Sequence, residues 1–270
     1  MNTRKMIFFD IDGTLIPEGI NKVPETAKTA LKGARENGHL LFINTGRTYF
    51  NIDPFIRELG FDGYVCGCGT YIYYHGRQLL AKTIPHDRCV QLVEKMRSCR
   101  IPGFYEENDH IYFDCDAKAP SREMMENIRR TFGMKAYDLP KDIYDSSFTF
   151  DKILAYIQPD SDVEAFRSYS DSFLEYIDRG GNMAEIIQKG YSKATGIRFL
   201  CDYLKIPLED CFAIGDSTND LSMLEYVPNS IAMGNSDAVV LEKCSYVTDH
   251  VENDGIYHAL EHFGLLEGHK

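Results

Sequence analysis

Lys5-Met6-Ile7-Phe8-Phe9-Asp10-Ile11-Asp12-Gly13-Thr14 sets a short apolar run directly before two carboxylates two residues apart, a glycine and a hydroxyl. The run has strand length, and in an open parallel sheet ligands bind at the carboxyl ends of the strands. Asp10 and Asp12 then face a site, where Gly13 lets the backbone come close to an anion. Two acids so near each other repel, so a positive group must sit beside them. A hard, oxygen-seeking divalent cation such as Mg2+ answers that need. The same string is also ordinary turn chemistry, because Asp and Gly both favour turns. A calcium loop of the EF-hand kind does not fit, since Gly13 directly follows the second acid. The rest of the chain decides between turn and active site.

The chain has 270 residues, 44% hydrophobic and 26% charged, which suits one large or two modest globular domains. Its net charge of −12 argues against nucleic acid or an anionic membrane as partner. A phosphate ligand stays compatible with that charge if a metal and a few basic groups reverse the local potential. Residues 6–9 are too short for the apolar region of a signal peptide. No stretch approaches the roughly 20 apolar residues of a spanning helix. The eight cysteines lie scattered, mostly inside apolar runs, which fits free thiols in a reducing cytoplasm. Cys66 and Cys68 are the one close pair, without a second pair at zinc-site spacing, and read as buried structural thiols.

Outward from the opening string, residues 24–37 read as a helix, with Ala27, Ala30, Leu31 and Ala34 as its apolar stripe and Asn37-Gly38 as its stop. Residues 40–43 are a second buried strand ending in Asn44-Thr45-Gly46-Arg47. A helix to Leu59 and a strand at 64–66 follow. Strand alternating with helix is the pattern of a parallel sheet with right-handed crossovers. From there the pattern changes. A hairpin over 70–81 turns at His75-Gly76, and a helix over 86–99 leads to strands at 104–106 and 111–113. A helix over 122–132, a strand at 153–157, a helix over 163–169 and a hairpin of 174–177 with 184–187 complete an α+β unit. Alternation then returns with a helix over 193–204 and strands at 211–215, 230–233 and 246–248. The expected organisation is one doubly wound domain built from residues 1–81 and 189–270, interrupted by an α+β insert over 82–188.

Three groups of polar residues then lie at strand ends of one sheet: Asp10 with Asp12, Thr45, and Asp216 with Asn219 and Asp220. Carboxyl ends of parallel strands converge in space, so the three reinforce one another. Taken singly, Thr45 could cap the next helix and residues 216–220 could be an acidic turn. Lys193 follows Ser192, a good N-cap, and so falls in the first turn of its helix. The helix dipole disfavours a cation there by roughly 0.3–1 kcal/mol. An anion at that helix end would be shared by Lys193 and the free N–H groups.

Asp10-Ile11-Asp12-Gly13-Thr14, Thr45-Gly46-Arg47, Lys193 and Gly215-Asp216-Ser217-Thr218-Asn219-Asp220 together resemble, in order, the four motifs of the haloacid dehalogenase-like phosphohydrolases. The insert between the second and third motifs looks like the large α+β cap of the Cof-type branch, as do Glu185-Ile186-Ile187 before Lys193 and Asp254-Gly255. The resemblance spans nearly the whole chain. It implies a Rossmann-like core and an active site in which Asp10 attacks phosphorus and Asp12 carries the proton. It further implies Mg2+ held by Asp10, the Asp12 backbone carbonyl and Asp216, with Asp220 behind them. Thr45, Gly46, Arg47, Lys193 and Asn219 would serve the phosphate or the leaving group. Relatives often carry Asn-Gly-Ala where this chain has Cys68-Gly69-Thr70, and a thiol is a weak hydrogen-bond partner.

The expected activity is hydrolysis of a small phosphorylated metabolite, a sugar phosphate foremost, by a monomer or homodimer whose cap closes over the substrate. A sugar phosphomutase using the same aspartyl-phosphate step is the alternative enzyme, and a phosphate-binding protein without turnover the alternative class. In the insert, Tyr105, Glu106, Tyr112 and Asp114 are candidates for the substrate side, but they read more simply as a half-buried sheet face.

Overall fold

The buried apolar runs of the first and last thirds of the chain become strands because each is covered on both faces, as parallel sheets require. The computed structural model describes residues 4–114, 136–139 and 142–266. By its internal packing the chain divides into two compact units. One comprises residues 1–47, Ile52–Leu80 and Tyr191–Lys270; the other comprises Ala81–Gly190 together with Thr48–Asn51.

The first unit is built on an eight-stranded sheet. Its strands are β1 (Met6–Phe9), β2 (Leu40–Asn44), β3 (Gly63–Cys66), β4 (Tyr71–Tyr74), β5 (Arg77–Ala81), β12 (Cys211–Gly215), β13 (Asn229–Ala232) and β14 (Tyr246–Val247), β6 to β11 belonging to the second unit. The order across the sheet is β14-β13-β12-β1-β2-β3-β4-β5. Pairing is parallel from β14 to β3 and turns antiparallel at β4. From β1 the chain steps one way to β2 and β3, and later the other way from β12 to β14. The strand order therefore reverses beside β1, which is where such sheets open a crevice for ligands.

Alternate residues of β1 and β2 point to opposite faces, and all of them are buried. Met6, Phe8, Leu40 and Phe42 pack with Ile197 and Leu200 of the helix Lys193–Leu204. The Phe8 and Phe42 rings stack with centroids 5.1 Å apart, a contact worth about 0.5–1.5 kcal/mol beyond the area it buries. The helix Glu25–Glu36 buries Ala27, Ala30, Leu31 and Ala34, the stripe read from the sequence, and packs against the helix Gly255–His262. The stretch expected as one helix to Leu59 is instead a 3-10 turn, Tyr49–Asn51, and a single helical turn, Pro54–Arg57. Pro54 is the cause: it drives Asp53 out of the helical region, to ψ 143°.

The second unit carries a six-stranded sheet of order β10-β11-β9-β6-β7-β8. Its strands are β6 (Gly103–Glu106), β7 (Ile111–Phe113), β8 (Ala136–Asp138), β9 (Lys152–Tyr156), β10 (Leu174–Gly180) and β11 (Met183–Gln188). The short strand β8, parallel to β7, has no counterpart in the sequence reading, and the helix expected over 122–132 lies outside the described residues. One face of this sheet, with Tyr105, Ile153, Ala155 and Ile186, packs on the helices His86–Ser98 and Val163–Ser170. The opposite face carries Phe104, Phe113 and Tyr156. By the strand register Glu106, Lys152 and Glu185 lie on that face too. Tyr105 is fully buried among the helices, and Asp114 is paired through both oxygens with Arg97, at 2.8 and 2.9 Å.

No helix among the described residues is long and apolar enough to cross a membrane.

Candidate active site

Where β1 ends, the Asp10 N–H still donates to the Ile214 carbonyl of β12 at 3.0 Å, so the carboxylate is fixed at the last rung of the sheet. The chain then doubles back. Leu15 and Ile16 both donate to the Ile11 carbonyl, and Gly13 donates to Ile16. Gly13 has φ +78°, and a Cβ there would lie 2.2 Å from Asp216 Oδ2. Glycine is thus required twice, for the left-handed backbone and for room beside Asp216. Thr14 Oγ1 donates to Asp216 Oδ1 at 2.9 Å, and Asn235 Nδ2 donates to the Gly13 carbonyl at 2.8 Å. Gly13→Ala is therefore expected to displace Asp216 and weaken divalent-cation binding by about ten-fold or more, some 1.4 kcal/mol; calorimetric titration with Mg2+ reads the change.

Lys193 opens its helix as the sequence indicated. Ser192 caps it, accepting from Thr195 N at 3.2 Å while Thr195 Oγ1 accepts from Ser192 N at 2.9 Å. The Lys193 side chain is buried, and its ammonium donates to Asp10 Oδ1 at 2.6 Å and to Asp220 Oδ1. The second carboxylate oxygen of Asp220 accepts the N–H groups of Asp216 and Ser217 at 3.0 and 3.1 Å. Asp220 thereby ties the acidic turn to the lysine. From β2, Asn44 Nδ2 donates to the Lys193 carbonyl at 3.0 Å and fixes the backbone of the same residue. The helix start comes close to the Gly67–Gly69 turn, where a Cβ on Gly69 (φ +92°) would lie 2.4 Å from the Ser192 carbonyl oxygen.

Asp10, Asp216 and Asp220 bring one carboxylate oxygen each to within 4.8 Å of one another, all three residues buried. Lys193 is the ammonium among them, so carboxylate charge is in excess. Burial, then the neighbouring Asp220 carboxylate, pushes Asp10 up to about 7, although Lys193 pulls it down. Burial, then Asp220 and Asp10, pushes Asp216 up to about 8. Burial opposes the Lys193 ammonium, but the charges of Asp10 and Asp220 more than reverse that and raise its pKa. Hard oxygen donors in excess of positive charge can hold a metal ion, and they suit a divalent cation.

A second group of side chains stands at the more exposed edge of the crevice. The Asp12 carboxylate, 55% exposed, receives the Nε and Nη2 fork of Arg47, with Nε to Oδ2 at 2.9 Å. Arg47 Nη1 donates to Asp53 Oδ2 at 3.0 Å. Burial opposes the Arg47 charge, but Asp12 and Asp53 hold its pKa above the ordinary value. Thr45 Oγ1 accepts the Arg47 N–H at 3.1 Å, which leaves the hydroxyl proton for an anion, and buried Gly46 joins the two. Cys68, at the position that departs from the family pattern, has φ 54° and donates its N–H to the Thr45 carbonyl at 3.2 Å. This left-handed conformation is one that asparagine tolerates better than most residues, which gives a backbone reason for asparagine in relatives.

The structure thus gathers Asp10, Lys193, Asp216 and Asp220 into one cluster and pairs Asp12 with Arg47. Asn219 lies in the same turn as Asp216 and Asp220, where its Oδ1 accepts from Ser217 Oγ at 2.6 Å. The Asp12 side chain turns to Arg47, and the ligand read for it from the sequence was its backbone carbonyl. Sequence reasoning quoted Asn44 only within the string Asn44–Arg47, without a role, and passed over Asp53 and Asn235. Asn235 had a readable signal, since Gly234-Asn235 comes one residue after β13 at the carboxyl edge of the same sheet.

The sequence matches the haloacid dehalogenase-like hydrolase family over residues 7–260. It is 28% identical over 273 residues to the 5-amino-6-(5-phospho-D-ribitylamino)uracil phosphatase YitU of Bacillus subtilis, covering 96% of this chain and 98% of that one. It is 27% identical over 275 residues to the pyridoxal phosphate phosphatase YbhA of Escherichia coli, covering 94% and 96%. Among solved structures, the subclass IIB sugar phosphatase BT4131 superposes with a TM-score of 0.81 at 25% identity, over 97% of this chain and 99% of that one. The chain belongs to the haloacid dehalogenase-like hydrolases, in their Cof-type branch, and is a phosphoric monoester hydrolase.

Proposed function

We propose that the enzyme is a Mg2+-dependent phosphatase that hydrolyses a sugar phosphate or closely similar metabolite through an aspartyl-phosphate intermediate. The observation that carries this reading is the Lys193 ammonium, buried 2.6 Å from Asp10 Oδ1 among carboxylates in excess. A lysine so placed steadies a nucleophilic carboxylate and the phosphoryl oxygens that approach it. Asp10, Asp216 and the Asp12 carbonyl would hold Mg2+, whose charge offsets the carboxylates and the substrate phosphate.

Asp10 forms the bond to phosphorus as the ester P–O bond breaks, and the electron pair leaves with the alkoxide. Asp12 gives its proton to that oxygen. As a carboxylate, Asp12 then draws a proton from water, whose oxygen attacks phosphorus and releases inorganic phosphate and the Asp10 carboxylate. Thr45 and Lys193 neutralise the charge spread over the equatorial oxygens of a loose transition state. The activities named for YitU, YbhA and BT4131 differ in leaving group and share the small phosphate ester, which supports the class.

The test is a panel of phosphorylated sugars, cofactors and nucleotides assayed for inorganic phosphate. Release from at least one member should fall about a hundred-fold or more when EDTA removes the metal, the loss of several kcal/mol of charge stabilisation. Isomer formation without net phosphate would make the enzyme a phosphomutase instead.

A further inference from the structure

Arg47 grips two carboxylates at once, with its Nε and Nη2 edge on Asp12 and its Nη1 on Asp53. The Asp12 end of this chain presents a difficulty for the proposed chemistry. The fork occupies both Asp12 oxygens, yet the proposed chemistry needs one of them to face the leaving oxygen. The fork must therefore let go of Asp12 when substrate arrives, and the guanidinium must stay where it is useful. Asp53 supplies what is needed to keep it there. It lies directly before Pro54, with ψ 143°, at the start of the helical turn Pro54–Arg57. Its carboxylate therefore stands on a backbone that proline stiffens.

We propose that Asp53 is a positioning residue that anchors Arg47 by Nη1, so that the other edge of the guanidinium passes from Asp12 to the leaving-group oxygens of the substrate. The inference rests on the phosphatase reading given above. Asp12 serves the ester oxygen, so a group beside Asp12 stands on the leaving-group side of phosphorus rather than on the phosphoryl side. Asp53 also balances the charge. Once the fork has left Asp12, Arg47 and Asp53 form a neutral pair that still offers N–H donors. Such a pair suits the uncharged hydroxyl and ester oxygens of a polyol better than a second anionic group.

A double-mutant cycle of Asp53→Ala and Arg47→Ala tests this, with ribose 5-phosphate and p-nitrophenyl phosphate as the probes in Mg2+. Arg47 contacts that persist from ground state to transition state set KM more than kcat. Asp53→Ala should accordingly raise KM for ribose 5-phosphate roughly five- to ten-fold while kcat stays within about two-fold. Asp53→Asn, which keeps an oxygen acceptor for Nη1, should recover at least half of the loss. In the Arg47→Ala background, Asp53→Ala should add less than about two-fold, because its partner is gone. With p-nitrophenyl phosphate, whose leaving group lacks hydroxyls and departs without a proton, the effect should be slight. Full additivity in the cycle, an equal loss on both esters, or unchanged KM would overturn the inference, and if Asp53→Ala does not fold, Asp53→Leu takes its place in the cycle with the same expected and overturning results. Wild-type enzyme that releases phosphate from neither probe, nor from any member of the panel, would instead overturn the phosphatase reading itself.

Discussion

Asp10→Asn is expected to lower phosphate release by about 10^4-fold or more, the scale seen when a nucleophile is removed, while the protein stays folded. The amide cannot form the acyl-phosphate bond, and nothing else in the cluster can replace it. Lys193 is committed to Asp220 as well as Asp10, and Asp216 is held by Thr14. The stability effect has the opposite sign to the activity effect. Burial and Asp220 raise Asp10 to about 7, so at pH 8 its ionised form is less favourable in the folded protein than in the unfolded chain. The asparagine removes that charge and leaves Lys193 its pair with Asp220. The metal-free variant should therefore melt at or above the wild-type temperature at pH 8. Calorimetry beside the phosphate assay separates the two effects. A variant that retains more than a few per cent of activity would remove Asp10 from the chemistry, and one that melts well below wild type would overturn the unfavourable charge assigned to it.

How much could be read before the structure depends on the kind of interaction. The strands at 6–9, 40–44 and 211–215 were legible because buried parallel strands are continuous apolar runs, and each ends in polar residues that have no reason to lie in a core. The nearness of Asp10 and Asp216 followed from strand ends, and Lys193 was placed by its position after Ser192 in the first turn of a helix. Asn219, read as serving the phosphate, has its Oδ1 on the Ser217 hydroxyl two residues away, a local bond that strand ends do not encode. The Asn44 bond to the Lys193 carbonyl was out of reach for a different reason. It joins a side chain to a backbone atom 149 residues away, and no pattern of side chains encodes such a contact. Asp53 fell inside the stretch read as one helix to Leu59; that it reaches back to Arg47 depends on the break that Pro54 imposes. The buried position of Tyr105 and the pairing of Asp114 with Arg97 belong to the same class, because alternation in a strand predicts two faces but not which one the helices cover.

The charge excess of the cluster leads to the second large effect, a stability that falls with rising pH when metal is absent. Asp216 is raised to about 8 and Asp10 to about 7, chiefly by burial and by the Asp220 charge. A carboxyl whose folded value lies above its unfolded value holds more protons folded than unfolded. Stability then declines as pH climbs from the unfolded value near 4 through the folded values. Glu106 is raised by burial and acts with the same sign. Asp109 and Asp145, whose carboxyls lie below the ordinary value, contribute the opposite slope, but only toward pH 4 and below. Lys193, raised by its two carboxylates, loses its contribution only far above the window. Between pH 5 and 8 the metal-free protein should thus lose on the order of a few kcal/mol, seen as a fall in melting temperature of roughly 5 °C or more. A divalent cation neutralises the ionised carboxylates and binds them in competition with protons. Saturating Mg2+ should flatten the profile, so the rise in melting temperature that it produces is larger at pH 8 than at pH 5. Asp216→Asn should flatten the metal-free profile too and remove most of the Mg2+ effect. A metal-free protein whose melting temperature climbs from pH 5 to 8, or equal stabilisation by Mg2+ at both values, would mean that these carboxylates are not the ones that hold the cation.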